Sequence, residues 1–164
     1  MDINWTTIFV GLITATAALS GPLVLSSRQA RRESRSVRAS ILAEIAALIE
    51  VIEERGYVSF FQEAEGELKT VDPDGKYEIS LQVSIPDSYN KVYQANIGKL
   101  GSLTPEEATH VVRFYQLIEA VVADVTPGGN LYEGTGSPEA YAEAARLMNK
   151  ALSIADELKT MSKR

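Results

Sequence analysis

A stretch of 25 residues without a charged side chain, residues 3–27, restricts most strongly what this 164-residue chain can fold into. Its centre reads WTTIFVGLITATAALSGPLVL, which as a helix would extend about 30 Å, the thickness of the hydrocarbon core of a bilayer. Core helices rarely run this long without a charge. A cleavable signal peptide would carry its basic region before the apolar stretch, and here the basic residues follow it. We therefore predict a transmembrane anchor over residues 1–27.

Five arginines follow directly, within residues 28–38, although the whole chain has a net charge of −6. Because basic segments beside a membrane helix stay in the cytoplasm, the pattern predicts a single-pass membrane protein with the N-terminus out and the C-terminal domain in the cytoplasm. We expect the arginines to meet anionic lipid headgroups, and an interfacial tryptophan to anchor the outer end of the helix. These membrane-surface residues are Trp5, Arg28, Arg31, Arg32, Arg35 and Arg38.

The remainder of the chain is acidic, and this bears on its partners. Residues 39–164 hold eleven Lys and Arg against twenty Asp and Glu, so nucleic acid is not an expected partner. Small residues at spacings of four in the apolar stretch would let two helices approach closely in lipid. They predict association with a second copy or with another membrane protein. The residues concerned are Thr7, Gly11 and Ala15, together with Ala17 and Gly21.

Most of the acidic part has the periodicity of amphipathic helices. Apolar residues recur at spacings of three and four from Ile41 to Ile52. This helix is expected to continue out of the apolar N-terminal segment as a stalk, and it either passes Gly56 or breaks there. TPEE at 104–107 supplies a capping threonine, a proline for the first helical position and a glutamate for a capping box. SPEA at 137–140 marks another helix start. A narrow, alanine-rich stripe then predicts a last helix that packs tightly.

The helix predicted over residues 105–125 is apolar around most of its circumference. We expect it to be central to the domain. Its apolar surface exceeds what two helices and one strand easily cover, so a remaining exposed stripe would seek a partner. The predicted interaction face consists of Val111, Phe114, Tyr115, Leu117, Ile118 and Val121.

Residues 77–85 change period, since apolar and polar residues alternate there as in a strand. DPDG at 72–75 precedes this segment as a turn signal, and Pro86 ends it. The strand would pair with residues 67–71, pair with another protomer, or lie over helices as an extended strap. The predicted fold is therefore mainly α: an N-terminal transmembrane helix, a basic juxtamembrane segment over 28–38, and a small cytoplasmic helical bundle over 39–164 with one short strand or hairpin.

Residues with catalytic or metal-binding chemistry are scarce. The chain has no cysteine, which excludes disulfides and thiolate chemistry, and His110 is its one histidine. The glycine-rich segment GGNLYEGTG lacks the Gly-Lys-Ser/Thr that a phosphate-binding loop requires. We therefore predict no catalytic residue, no metal site and no cofactor.

Two segments carry a resemblance: RQARRESRSVRASILAEIAALIEVIEERGY and VYQANIGKLGSLTPEEATHVVRFYQLIEAV. Together they resemble small uncharacterised bacterial or phage single-pass membrane proteins with a cytoplasmic helical domain. The resemblance implies a bacterial or phage origin, and with it a location in the bacterial inner (cytoplasmic) membrane, and it transfers no activity. The resulting hypothesis is a membrane-anchored interaction or assembly module without catalysis, acting as an oligomer or as a subunit of a membrane complex. The alternatives are a membrane-perturbing effector of the holin or defence type, and a noncatalytic subunit of a membrane enzyme complex.

Overall fold

The computed structural model describes the backbone of residues 5–71 and 76–162, and the side chains of residues 27–71 and 76–162. Helices dominate this part of the chain, which confirms the predicted mainly α fold. The elements are α1 (Trp5–Glu54), α2 (Tyr57–Val71), α3 (Lys91–Asn96), a 3₁₀ helix (Ile97–Ser102), α4 (Pro105–Val125), α5 (Asn130–Glu133) and α6 (Pro138–Met161).

The core forms where α6 packs along both α4 and α2, and α1 closes one side of this group. The predicted capping box at the start of α4 is present, because the Thr104 side chain accepts from the Glu107 amide and the Glu107 carboxylate accepts from the Thr104 amide. Alanines lie on the buried face of α6, including Ala144 and Ala151, both with no exposed surface. Small side chains let helix axes approach closely. Because α6 packs along both α4 and α2 on this alanine-rich face, the tight packing predicted for the last helix is confirmed.

Contacts between helices fix their relative directions. Arg38 and Glu44 on α1 contact Glu107 and Tyr115 on α4, so these two helices run the same way. His110 near the start of α4 contacts a residue near the end of α6, so α6 runs the opposite way.

Helix α1 is continuous from Trp5 to Glu54, as predicted, and a break at Gly56 separates it from α2. Gly56 has a φ of 64°, in the left-handed region that favours glycine, and its amide donates to the carbonyl of Glu53 at 3.0 Å. The chain bends at this glycine, and α2 packs against α6.

Residues 77–86 form an extended strap across the bundle, so the third of the predicted alternatives is correct. The alternation is confirmed at its inner positions: Ile79, Leu81, Val83 and Ile85 are partly buried against the core. Within the described residues the strap makes one isolated bridge, between Ile79 and Thr135, and no strand or hairpin forms. The predicted strand was wrong because the amides of the strap bond to α4, α5 and the loop after α5. The predicted DPDG turn lies outside the described residues.

The predicted localisation, a single-pass inner-membrane protein with its N-terminus out, is contradicted. Among the helices that the described residues form, none is long and apolar enough to cross a bilayer. In residues 27–54, the part of α1 with described side chains, ten of the 28 residues are charged. Charged side chains at that density oppose insertion into hydrocarbon.

Other predictions for the N-terminal segment concern side chains that the structure does not describe. The predicted boundaries at residues 27 and 38 both fall inside α1, which is helical throughout. The outer anchor and the close-packing positions lie outside the described side chains; they are Trp5, Thr7, Gly11, Ala15, Ala17 and Gly21.

Candidate functional site

The predicted interaction face on α4 lies inside the bundle. Five of its six side chains are buried in the core of the chain itself, and Leu117 is partly buried. The face is covered because α6, α1, α3 and the strap surround α4 more completely than two helices and a strand would. This surface is therefore not open to a partner. The five buried side chains are Val111, Phe114, Tyr115, Ile118 and Val121.

The arginines of residues 28–38 separate into two environments. Four of them, Arg28, Arg31, Arg32 and Arg35, are exposed on α1. Arg38 instead forms an ion pair with Glu107 and donates from Nη2 to the carbonyl of Met161 at 3.1 Å. It therefore joins α1 to the start of α4 and the end of α6.

A carboxylate in the last third of α1 organises a polar cluster. Glu44 accepts from the amides of Val92 and Tyr93 at 2.7 and 2.9 Å, and from the Tyr115 hydroxyl at 2.7 Å. The rings of Tyr93 and Tyr115 stack with their centroids 3.9 Å apart. Burial, and secondly the hydrogen bond to Glu44, raise the pKa of Tyr115 far above its ordinary value. Because all these contacts join α1, α3 and α4, the cluster holds the fold together.

An apolar cavity of about 350 Å³ lies beneath the strap, and we call it the strap groove. Its floor is formed by α4 and α6, including Val121 and Met148. One wall is the strap, from Leu81 to Pro86, and the opposite wall is the corner between α1 and α2. Val51 lies on that corner and is 48% exposed, although it lines the cavity. The groove is thus an apolar surface that solvent reaches.

Backbone hydrogen bonds hold one edge of the strap. The amides of Ile79, Leu81 and Val83 donate to the carbonyls of Thr135, Leu131 and Val125, at distances of 2.7–3.2 Å. Alternate amides of an extended chain point to opposite edges. The other edge carries the amides and carbonyls of Ser80, Gln82 and Ser84, none of which bonds to the backbone of another described residue. We call these three residues the free edge of the strap.

Four polar residues interrupt the apolar lining of the groove: Arg55, Tyr57, Ser84 and Tyr89. Arg55, at the corner after α1, is the one charged residue among the described residues that line the groove, and its Nη1 donates to the Tyr57 hydroxyl at 3.2 Å. Burial, and secondly the charge of Glu119, raise the pKa of Tyr89 to about 12. The Tyr89 hydroxyl is therefore neutral at physiological pH and can donate a hydrogen bond.

His110 lies outside the groove, on the face between α4 and α6. Its Nδ1 is 2.8 Å from the carbonyl oxygen of Glu106, and its Nε2 is 2.7 Å from the carboxylate of Glu157. Only the protonated ring can donate from both nitrogens at once. The hydrogen bond to the Glu106 carbonyl, and then the carboxylate of Glu157, raise the pKa of His110 above 6.5.

We expect Glu157→Gln to lower the pKa of His110 measured by NMR titration of its ring protons, because the neutral amide no longer favours the imidazolium. A raised folded-state pKa stabilises the fold fully below pH 6.5, and this stabilisation is lost as the pH rises through the folded-state value. Glu143→Gln, on the exposed face of the same helix, is the control and should leave the titration unchanged. Equal titration curves for the two variants would contradict the assigned contact.

The strap groove was not predicted from the sequence, although two of the features that form it are visible in local sequence patterns. The alternation in residues 77–85 predicted the inward-facing side of the strap, and Val51 stands in the sequence as an apolar residue among glutamates. The grouping of three distant segments around one cavity has no local signal.

No protein-family model, no curated protein and no solved structure matches this chain. The resemblance of its two segments to small bacterial membrane proteins is not tested by these comparisons. Any function must therefore be inferred from the strap groove and the surfaces around it.

Proposed function

We propose that the chain is a noncatalytic interaction module that binds an extended, apolar segment of a partner protein in the strap groove. The observation that carries this proposal is the free edge of the strap beside an apolar, solvent-accessible cavity. Either feature alone has a simple structural origin. Together they supply the two components of peptide recognition by strand addition.

Strand addition divides recognition between the backbone and alternate side chains. A partner strand would bond to the backbone groups of Ser80, Gln82 and Ser84, and every second side chain would enter the groove. The cavity, at about 350 Å³, lies within the range of ligand sites, about 300–1,000 Å³. Binding would remove Val51 from water and satisfy the polar backbone of the strap.

The proposal retains the predicted role as a subunit or assembly module, and it moves the contact from α4 to the strap. A second copy of the chain is a competing occupant, since its own strap could pair with the free edge. Sedimentation of the purified protein separates the two: self-pairing requires a dimer whose formation is blocked by the bound peptide.

The test is selection of short random peptides on the purified chain, from one library with free C-termini and one with both ends fused. We expect the selected peptides to carry apolar residues at every second position. In ¹⁵N NMR spectra, they should shift the amides of Ser80, Gln82 and Ser84 most strongly. Methylating the backbone nitrogens of the peptide that face the strap should abolish binding, because those groups donate the strand hydrogen bonds.

A matched pair of variants on α1 checks the site. Val51→Gln should weaken peptide binding about fivefold, because an apolar contact of roughly 1 kcal/mol is lost. Ala46→Gln adds the same side chain at an exposed position of the same helix that does not line the groove, and it should bind peptide as the wild type does. If neither library yields binders, or if N-methylated peptides bind equally well, strand addition in the groove is refuted.

A further inference from the structure

We infer that the strap groove recognises the free C-terminus of its partner, with Arg55 binding the terminal carboxylate. This inference rests on the proposed function, because it specifies which part of a partner chain enters the groove. The carrying observation is one cation at the rim of an otherwise apolar cavity beside a free strand edge.

Arg55 has N–H donors available to bind a ligand. A guanidinium has five N–H donors, and within the described residues the Arg55 side chain has one hydrogen bond, to the Tyr57 hydroxyl at 3.2 Å. That contact leaves enough donors for a carboxylate to be held by two parallel hydrogen bonds, the geometry that makes arginine a strong carboxylate receptor. The Tyr57 contact also limits the orientations that the guanidinium can take.

The charges around Arg55 also bear on what binds there. The chain has a net charge of −6, and the exposed carboxylates of Glu53 and Glu54 directly precede Arg55 without lining the groove. The overall field therefore disfavours anions, and an anion would bind there only through direct contact with the guanidinium. A blocked or internal apolar segment would cover part of Arg55 without supplying a counter-charge, which opposes its binding.

The free edge and Arg55 can bind one partner chain together. A chain paired with the free edge of the strap lies between the strap and the corner that carries Arg55. A peptide that ends there offers a carboxylate, an apolar last side chain and a strand backbone at once. These three groups correspond to the three features of the groove: the Arg55 guanidinium, the apolar cavity and the free edge.

The experiment uses one selected peptide in three forms: with a free C-terminus, with an amidated C-terminus, and extended by glycine and serine. The wild-type chain should bind the free acid about 10- to 100-fold more tightly than the amide, the range for hydrogen bonds to a charged group. Arg55→Gln should remove this preference, because the free acid loses its hydrogen bonds to the guanidinium and binds more weakly. Arg55→Lys should retain part of the preference, and Arg113→Gln, an exposed arginine on α4, is the matched control.

The outcomes separate this inference from the proposed function. Equal binding of acid and amide, with shifts at the free edge, refutes C-terminal recognition and leaves strand addition intact. An equal loss for acid and amide in Arg55→Gln assigns Arg55 a structural role, which also refutes the inference. If an acidic side chain within the extended peptide restores binding, the groove does not specifically recognise the terminal carboxylate. If decanoate binds in a way that depends on Arg55 and no peptide binds, both strand addition and C-terminal recognition are refuted.

Discussion

Replacing Glu44 by alanine is expected to lower the free energy of unfolding by about 3–5 kcal/mol, because three partly buried donors lose their acceptor at about 1–3 kcal/mol each. The carboxylate accepts three hydrogen bonds, from two amides at the start of α3 and from the Tyr115 hydroxyl. Alanine leaves all three donors without that acceptor, and Tyr115 is fully buried. Urea denaturation followed by circular dichroism measures the change.

A second variant and a control make this result specific. Tyr115→Phe removes the buried hydroxyl, so Glu44→Ala should destabilise the Tyr115→Phe background less than the wild type, by about 1 kcal/mol. Glu50→Ala, at an exposed position of the same helix, should change stability by less than about 0.5 kcal/mol. Additive effects of Glu44→Ala and Tyr115→Phe would show that the two side chains are not coupled.

Local sequence signals predicted local structure well. The start of α4 was predictable because Thr104, Pro105 and Glu107 meet the requirements of a helix N-terminus within four residues. The extended strap was predictable from its period, and the inward side of the strap followed from the same alternation. Each of these features depends on interactions between neighbours in the sequence.

The predictions that were wrong, and the features that were not predicted, depend on residues that are far apart in the sequence. Glu44 and Tyr115 are 71 residues apart, and neither stands out from other glutamates or tyrosines in the sequence. The strap pairs with loop and helix carbonyls, which no strand pattern reveals. The membrane prediction used only residues 3–27 and the arginines after them, and it was made without the packing of α1 against the bundle.

The strap groove is a case where a partly correct pattern gave an incorrect conclusion. The alternation over 77–85 predicted a strand that needs a partner, and the expected exposed apolar surface was on α4. The structure buries that face of α4 and leaves an open edge at Ser80, Gln82 and Ser84, across the groove from Val51. An apolar residue at a helix end is a weak sequence signal, because single exposed apolar residues are common on protein surfaces.

Glu107→Ala is the second substitution with a large expected effect, about 2–4 kcal/mol of lost stability. The variant removes the capping box of α4 and leaves the guanidinium of Arg38 at a partly buried position without its carboxylate. The Nε atom of Arg38 is already buried and has no hydrogen-bond partner among the described residues, so the side chain depends on its remaining contacts. Thermal unfolding and urea unfolding should both show that Glu107→Ala is less stable than the wild type.

Comparison among the arginines tests whether the basic segment has one role or two. Arg38→Gln should destabilise the chain by about 1–2 kcal/mol, because its ion pair and its bond to the Met161 carbonyl are lost. Arg35→Gln, one turn earlier and exposed, should change stability by less than about 0.5 kcal/mol. The double variant of Arg38 and Glu107 should be more stable than the sum of the single changes implies, since no unpaired charge remains. Equal effects of Arg35→Gln and Arg38→Gln on stability would contradict two separate roles. A count of charges along the sequence cannot reveal this division, because only the fold brings Glu107 to one of the five arginines.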